Sequence, residues 1–191
     1  MKVRLLKKVK VGISNRHVHL TSEVYNQLFT APLTKKRDLT QIGDFAANET
    51  LTLKTEKGMI ENARIIGPFR SYNQIEISKS DARKLGLCPP VRKSGDLENS
   101  ETITLVGEKG ELTLHNACIL AERHIHINPR DAKEWNVEDG DIVQVRIDGD
   151  RSGVLDAHVK VSEKGVLAFH IDTDEANAVL LNNDEEVEVL L

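Results

Sequence analysis

Two His-x-His pairs, His17-Val18-His19 and His124-Ile125-His126, carry the residue types and spacing best suited to chemistry in this chain. Strand side chains alternate between faces, so residues i and i+2 point the same way, whereas on a helix they diverge by roughly 200°. Both pairs lie among aliphatic and β-branched residues that read as strand. Each therefore presents two imidazoles side by side, which is half of a divalent metal site. The pattern recurs. His19-Leu20-Thr21, Glu76-Ile77-Ser78, His126-Ile127-Asn128 and His170-Ile171-Asp172 each run from a metal-competent side chain through an aliphatic residue to a helix N-cap type.

Three protein ligands leave a coordination position open to substrate, the pattern of catalytic rather than structural zinc. His17 and His19 with Glu76 form one set, and His124 and His126 with His170 form another. The sequence alone leaves open which of them share an ion. Arg70, in Gly67-Pro68-Phe69-Arg70, offers a planar fork suited to phosphate or carboxylate. Arg16 and Arg123 each precede a His pair by one residue, face the other way on a regular strand, and read as ion-pair partners. His115, His158 and Cys118 read as structural residues.

The elements that must position these side chains follow from the same pattern. Behind the four caps the spacing predicts short helices over 22–29, 79–85, 129–135 and 173–181, with Pro129 at a first helical position and Asp172 and Glu175 at capping-box spacing. Strands are expected over 2–14, 74–78, 142–147, 154–161, 166–171 and 185–191, with hairpins of 49–55 with 61–66 and of 101–106 with 111–120. Residues 33–48 read as a loop with one short strand near 39–42. That makes about twelve short strands and four short helices without a βαβ rhythm, a mostly β architecture of one or two small barrels.

Composition bounds the rest. A chain of 191 residues holds one larger domain or two small ones. Thirty acidic against 26 basic residues, a net charge of −4, argue against nucleic-acid binding by charge, and 4% aromatic content argues against stacking platforms. No apolar run is long enough to span a bilayer, and the N-terminus has no signal-peptide core. Two cysteines, Cys88 and Cys118, without a Cys-x-x-Cys motif, fit a reduced cytoplasmic setting.

Taken together, Ser14-Asn15-Arg16-His17-Val18-His19-Leu20, Gly67-Pro68-Phe69-Arg70, Gln74-Ile75-Glu76-Ile77-Ser78, Arg123-His124-Ile125-His126 and His170-Ile171-Asp172-Thr173-Asp174-Glu175-Ala176-Asn177 resemble the phosphate acyltransferases (phosphotransacylases) of the propanediol-utilisation type, over residues 11–191. The resemblance implies two small β-barrels capped by short helices, with the metal site between them. One barrel would take residues 1–15 with 122–191 and the other 16–121. It implies reversible acyl transfer between coenzyme A and phosphate, with acyl-CoA (propanoyl or acetyl) and acyl phosphate as the interconverted pair.

By the same resemblance two Zn2+ ions are bound, one by His17, His19 and Glu76 and the other by His124, His126 and His170. Arg70 holds phosphate as a catalytic residue, and coenzyme A lies against Ile13, Ser14, Asn15, Lys57, Arg64 and Asn177. Members packaged in bacterial microcompartments carry an amphipathic N-terminal extension. Here residues 1–10 precede the first motif, so packaging by such a tail is not expected. A homo-oligomer is left open.

The chemistry suits these residues independently of the resemblance. Phosphate is a weak nucleophile toward a thioester and must be bound and oriented beside the carbonyl. No activated Ser or Cys is evident, so direct attack is expected rather than an acyl-enzyme. Two other classes fit the same ligands: a two-metal zinc hydrolase of esters or phosphoesters, and a non-catalytic zinc- or nucleotide-binding barrel module.

Overall fold

The computed structural model describes residues 6–191. Among them are fourteen strands and four helices, a mostly β architecture as the periodicity predicts. Two compact units divide the chain, one formed by the N-terminal strand with residues 122–191 and the other by residues 15–121.

The first unit contains β1 (Leu6–Ser14), β10 (His124–Ile127), α3 (Pro129–Trp135), β11 (Ile142–Ile147), β12 (Gly153–Val161), β13 (Ala168–Asp172), α4 (Thr173–Val179) and β14 (Glu186–Leu190). Its six strands close into a barrel in the order β1-β13-β10-β12-β11-β14. The second unit contains β2 (His17–His19), α1 (Ser22–Leu28), β3 (Lys35–Asp38), β4 (Phe45–Lys54), β5 (Met59–Gly67), β6 (Gln74–Glu76), α2 (Lys79–Leu85), β7 (Val91–Arg92), β8 (Glu101–Gly107) and β9 (Gly110–Ala121). Here β4, β5, β2, β6 and β9 run side by side, and β8 pairs with both β9 and β4, so a second six-stranded ring closes.

The two rings are built alike. In each, the His-x-His strand pairs antiparallel with the strand of the third candidate ligand, β2 with β6 and β10 with β13. The His strand also has a parallel neighbour, β5 or β12, and the third-ligand strand has one too, β9 or β1. These outer neighbours are exchanged between the repeats. β1 belongs to the barrel of residues 122–191 but leads by chain into His17, while β9 belongs to the other barrel and leads into His124.

Alternation decides what fills each barrel and what faces out. Ile125, Ile127, Phe169, Ile171, Val143, Val145, Val187 and Val189 turn into one core, and Val18, Ile75, Leu51, Leu53, Ile103 and Leu105 into the other. Fully burying such a side chain stabilises by about 1.5–3 kcal/mol. With Ile125 and Ile127 committed to the interior, period 2 sends His124 and His126 to the opposite face, and Phe169 and Ile171 do the same for His170.

All four expected caps are in place. Thr21, Ser78, Asn128 and Asp172 each accept a hydrogen bond from the backbone N–H three residues on, and Asp172 with Glu175 completes a capping box. Two expectations shift. The short strand expected over 39–42 lies earlier, at Lys35–Asp38, because Gln41 and Asp44 close a turn with Gly43 at φ +93 and β4 begins at Phe45 rather than at Glu49. The expected first strand began at Lys2, and its part before Leu6 lies outside the described residues.

Candidate metal centres

Each unit gathers one set of three ligands. His17, His19 and Glu76 have ligand atoms within 4.8 Å of one another, as do His124, His126 and His170. The register explains it: His17 stands directly opposite Glu76, and His124 directly opposite His170. A third ligand one strand over thus joins an i, i+2 pair on the same face.

Backbone carbonyls set the tautomers. His17 Nδ1 lies 2.8 Å from the Asn15 carbonyl oxygen, and His124 Nδ1 lies 2.8 Å from that of Glu122. A carbonyl only accepts, so in both rings the proton sits on Nδ1 and Nε2 turns its lone pair inward. His17 Nε2 then meets Glu76 Oε2 at 3.4 Å, and His124 Nε2 meets His126 Nε2 at 3.1 Å. Two acceptors facing each other, as at His17 and Glu76, repel unless a cation lies between them, whereas His126 relieves the second contact when its own proton sits on Nε2.

At His19 and His126 protonation does not supply that cation. Burial, and next the charge of His17, lower the His19 pKa to about 3. Burial, then His124 and His170, lower the His126 pKa to about 2. Both rings are neutral near pH 7, the form that binds metal. Nδ1 of His126 is buried without a hydrogen-bond partner, while the His19 ring is held by the Ile66 backbone. The residues present fit a divalent ion in each unit.

Arg70 stands beside the first set. Its backbone N–H donates to the Leu20 carbonyl at 2.9 Å, and Nη2 donates to both Asp44 oxygens at 3.0 and 3.1 Å. The Arg70 charge also contributes, after burial and His17, to lowering the His19 pKa. Nε of Arg70 is buried and unsatisfied, an N–H that calls for an acceptor.

A family profile described as phosphate propanoyltransferase matches residues 10–182. The chain belongs to this family. It is 47% identical to a phosphate propanoyltransferase of Thermotoga maritima over 94% of this chain and 88% of the relative. A Priestia megaterium protein of the same name is 48% identical over 93% and 83%, and one from Salmonella typhimurium 44% identical over 92% and 85%. Phosphate propanoyltransferases are acyltransferases, and the chain is an enzyme of that class.

The expected coenzyme A residues are distributed over both units. Ile13 and Ser14 on β1 and the exposed Asn177 on α4 lie in one; Asn15, Lys57 and Arg64 lie in the other. Arg64 already donates through Nη1 to the carbonyls of Ala47 and Asn48 at 3.0 and 2.8 Å. Lys57 is exposed in the turn between β4 and β5.

The residues read as structural have structural partners. Arg16 grips Asp81 through Nε at 2.8 Å and Nη2 at 2.9 Å, and Arg123 Nε meets Glu175 at 3.1 Å. His115 meets the Thr102 hydroxyl, and His158 lies 3.6 Å from Glu122. Cys118 is fully buried, and burial pushes its thiol up to about 12, so it supplies no thiolate.

Sequence reasoning missed Gly12. A Cβ there would lie 2.6 Å from Cδ2 of His170, so the ring of the third ligand sits where only glycine leaves room. It missed Ser94 too, whose hydroxyl reaches Glu76 from a loop with no signature. Gln74 was visible as a residue two before Glu76 on the same face of a strand, and its amide does meet that carboxylate.

Proposed function

We propose that the chain interconverts acyl-CoA and phosphate with acyl phosphate and coenzyme A, the acyl group being propanoyl or acetyl. The observation that carries this reading is an arginine with an unsatisfied buried N–H beside a three-ligand set whose His19 is neutral. An oxyanion and a metal ion are thereby called to one place.

His17, His19 and Glu76 would hold one zinc ion, and His124, His126 and His170 another. Both are nitrogen and oxygen donor sets of three, as in catalytic zinc sites. Bound there, zinc supplies Lewis acidity toward the thioester carbonyl and a soft partner for the departing sulfur. Arg70 holds phosphate and orients it. Asp44 holds Nη2, leaving Nε and Nη1 to donate to phosphate oxygens. Orienting a weak nucleophile against the carbonyl accounts for much of the barrier such a site must remove.

A phosphate oxygen forms the new bond to the carbonyl carbon, the carbon–sulfur bond breaks, and the electron pair leaves with the thiolate of coenzyme A. The buried Cys118 does not take part as a nucleophile, consistent with direct transfer. Coenzyme A is proposed to lie along Ile13, Ser14, Asn15, Lys57, Arg64 and Asn177.

The test is thiol release from propanoyl- and acetyl-CoA with and without phosphate. Release should require phosphate and yield acyl phosphate in equal amount. Release at the same rate without phosphate would make the protein a hydrolase, and no release from any acyl-CoA would make it a binding module.

A further inference from the structure

Glu76 is not held by the His residues alone. Gln74, fully buried, donates through Nε2 to Glu76 Oε1 at 2.6 Å, and the Ser94 hydroxyl donates to the same oxygen at 3.1 Å. The amide orientation is forced from its other end. The Gly95 N–H donates to Gln74 Oε1 at 2.7 Å, so Oε1 must face the backbone and Nε2 the carboxylate. Ser94 also lies 3.3 Å from Gln74 Nε2, which closes the group. Oε2 is the oxygen on the His17 side, 3.4 Å from Nε2.

We propose that Gln74 and Ser94 are positioning residues for Glu76, clamping Oε1 so that the carboxylate presents Oε2 alone to a metal ion. A buried carboxylate without donors is costly, and two hydrogen bonds to one oxygen both offset that cost and fix the side-chain torsions. A carboxylate free to swing could chelate through both oxygens and use up a position that a substrate needs. Partners of this kind orient ligands in metal sites generally, and their removal weakens metal affinity by about 10–100-fold.

The equivalent register position in the other unit holds no amide. Gln74 stands opposite His19, and the residue opposite His126 is Ala168. The Gln74 arm of the clamp is thus present at the carboxylate site, where the ligand is flexible enough to need one, and is replaced by Ala168 at the other.

The inference rests on the reading of His17, His19 and Glu76 as a metal site, and the experiment separates the two. Zinc binding to the full chain is measured by competition with a chromophoric chelator, with His19→Ala marking which of the two affinities belongs to this site. Ser94→Ala should weaken that affinity about tenfold. Gln74→Met should weaken it further, while the affinity assigned to His124, His126 and His170 stays within twofold. Ser94→Thr, which keeps the hydroxyl, should restore the lost affinity.

Should Gln74→Met fail to fold, because it orphans the Gly95 N–H, Ser94→Ala and its rescue decide. Unchanged affinity in Ser94→Ala, or equal loss at both sites, overturns the clamp while leaving the metal site standing. Zinc uptake that is the same in His19→Ala as in the wild-type protein overturns both.

Discussion

At the residue scale, the type of the third ligand in each unit matches the residue on the parallel strand beside it. His170 pairs in register with Gly12, and Glu76 with Ile119. An imidazole fits against β1 only because Gly12 has no Cβ, since one there would come within 2.7 Å of His170 Nε2. Gly12→Ala should displace the ring and lower bound zinc from about two equivalents per chain to about one, with the far-ultraviolet circular dichroism of a folded β protein retained. Elemental analysis checks this, and two equivalents in the variant would show that the ring accommodates a methyl group. Arg70→Lys keeps the charge but loses the fork. The apparent KM for phosphate should rise tenfold or more while that for acyl-CoA changes little, and equal losses on both substrates would make Arg70 a structural residue. The His pairs were legible in the sequence because their chemistry and period are local. Gly12 was not, because its reason for being glycine lies about 160 residues away across a strand pair.

At the element scale, four seven-residue helices follow four strands, each too short to persist alone. Their caps were legible because a cap is a matter of three residues. What fastens them is not local. Arg16 reaches the third residue of α2, and Arg123 the third residue of α4, so the residue before each His pair is tied to the helix that follows the third ligand. The two ties differ in burial. The Asp81 side chain is 2% exposed and held bidentately by an Arg16 side chain 27% exposed, whereas the side chains of Arg123 and Glu175 are both 31% exposed. Burial, its largest cause, also raises the pKa of Glu175 in spite of Arg123, so the ionised form gains little there. Breaking a buried pair costs about 3 kcal/mol and a half-exposed one about 1 kcal/mol or less. Asp81→Ala should therefore shift the urea midpoint well beyond Glu175→Ala at equal zinc. A smaller shift for Asp81→Ala would show that the Arg16 pair is not worth its desolvation.

At the scale of the whole molecule, barrel closure was not written in any local pattern. Ring closure depends on pairings such as β1 with β14, Leu6 against Leu190, between strands from opposite ends of the chain. Periodicity finds strands but not their neighbours. The repeat of ligand, aliphatic residue and cap reads four strand ends as equivalent, and the two matching rings relate them in pairs, β2 with β10 and β6 with β13.

One consequence can be measured with a probe the sequence supplies. Trp135, the only tryptophan, is 7% exposed on α3 and packs in the same core as Ile125 and Phe169. Its fluorescence reports the unit that carries His124, His126 and His170. An ion that binds the folded site but not the unfolded chain stabilises by RT ln(1 + [L]/Kd), about 2.7 kcal/mol at a hundredfold excess over Kd. Binding to histidines of the unfolded chain reduces that figure, so a gain of about 2 kcal/mol is expected when the metal-free protein is given zinc. His126→Ala removes one of three ligands from this unit without touching Trp135, and the gain should then nearly vanish. A gain that persists in His126→Ala would place the stabilising ion elsewhere, and the three-histidine site would lose its claim to hold a metal.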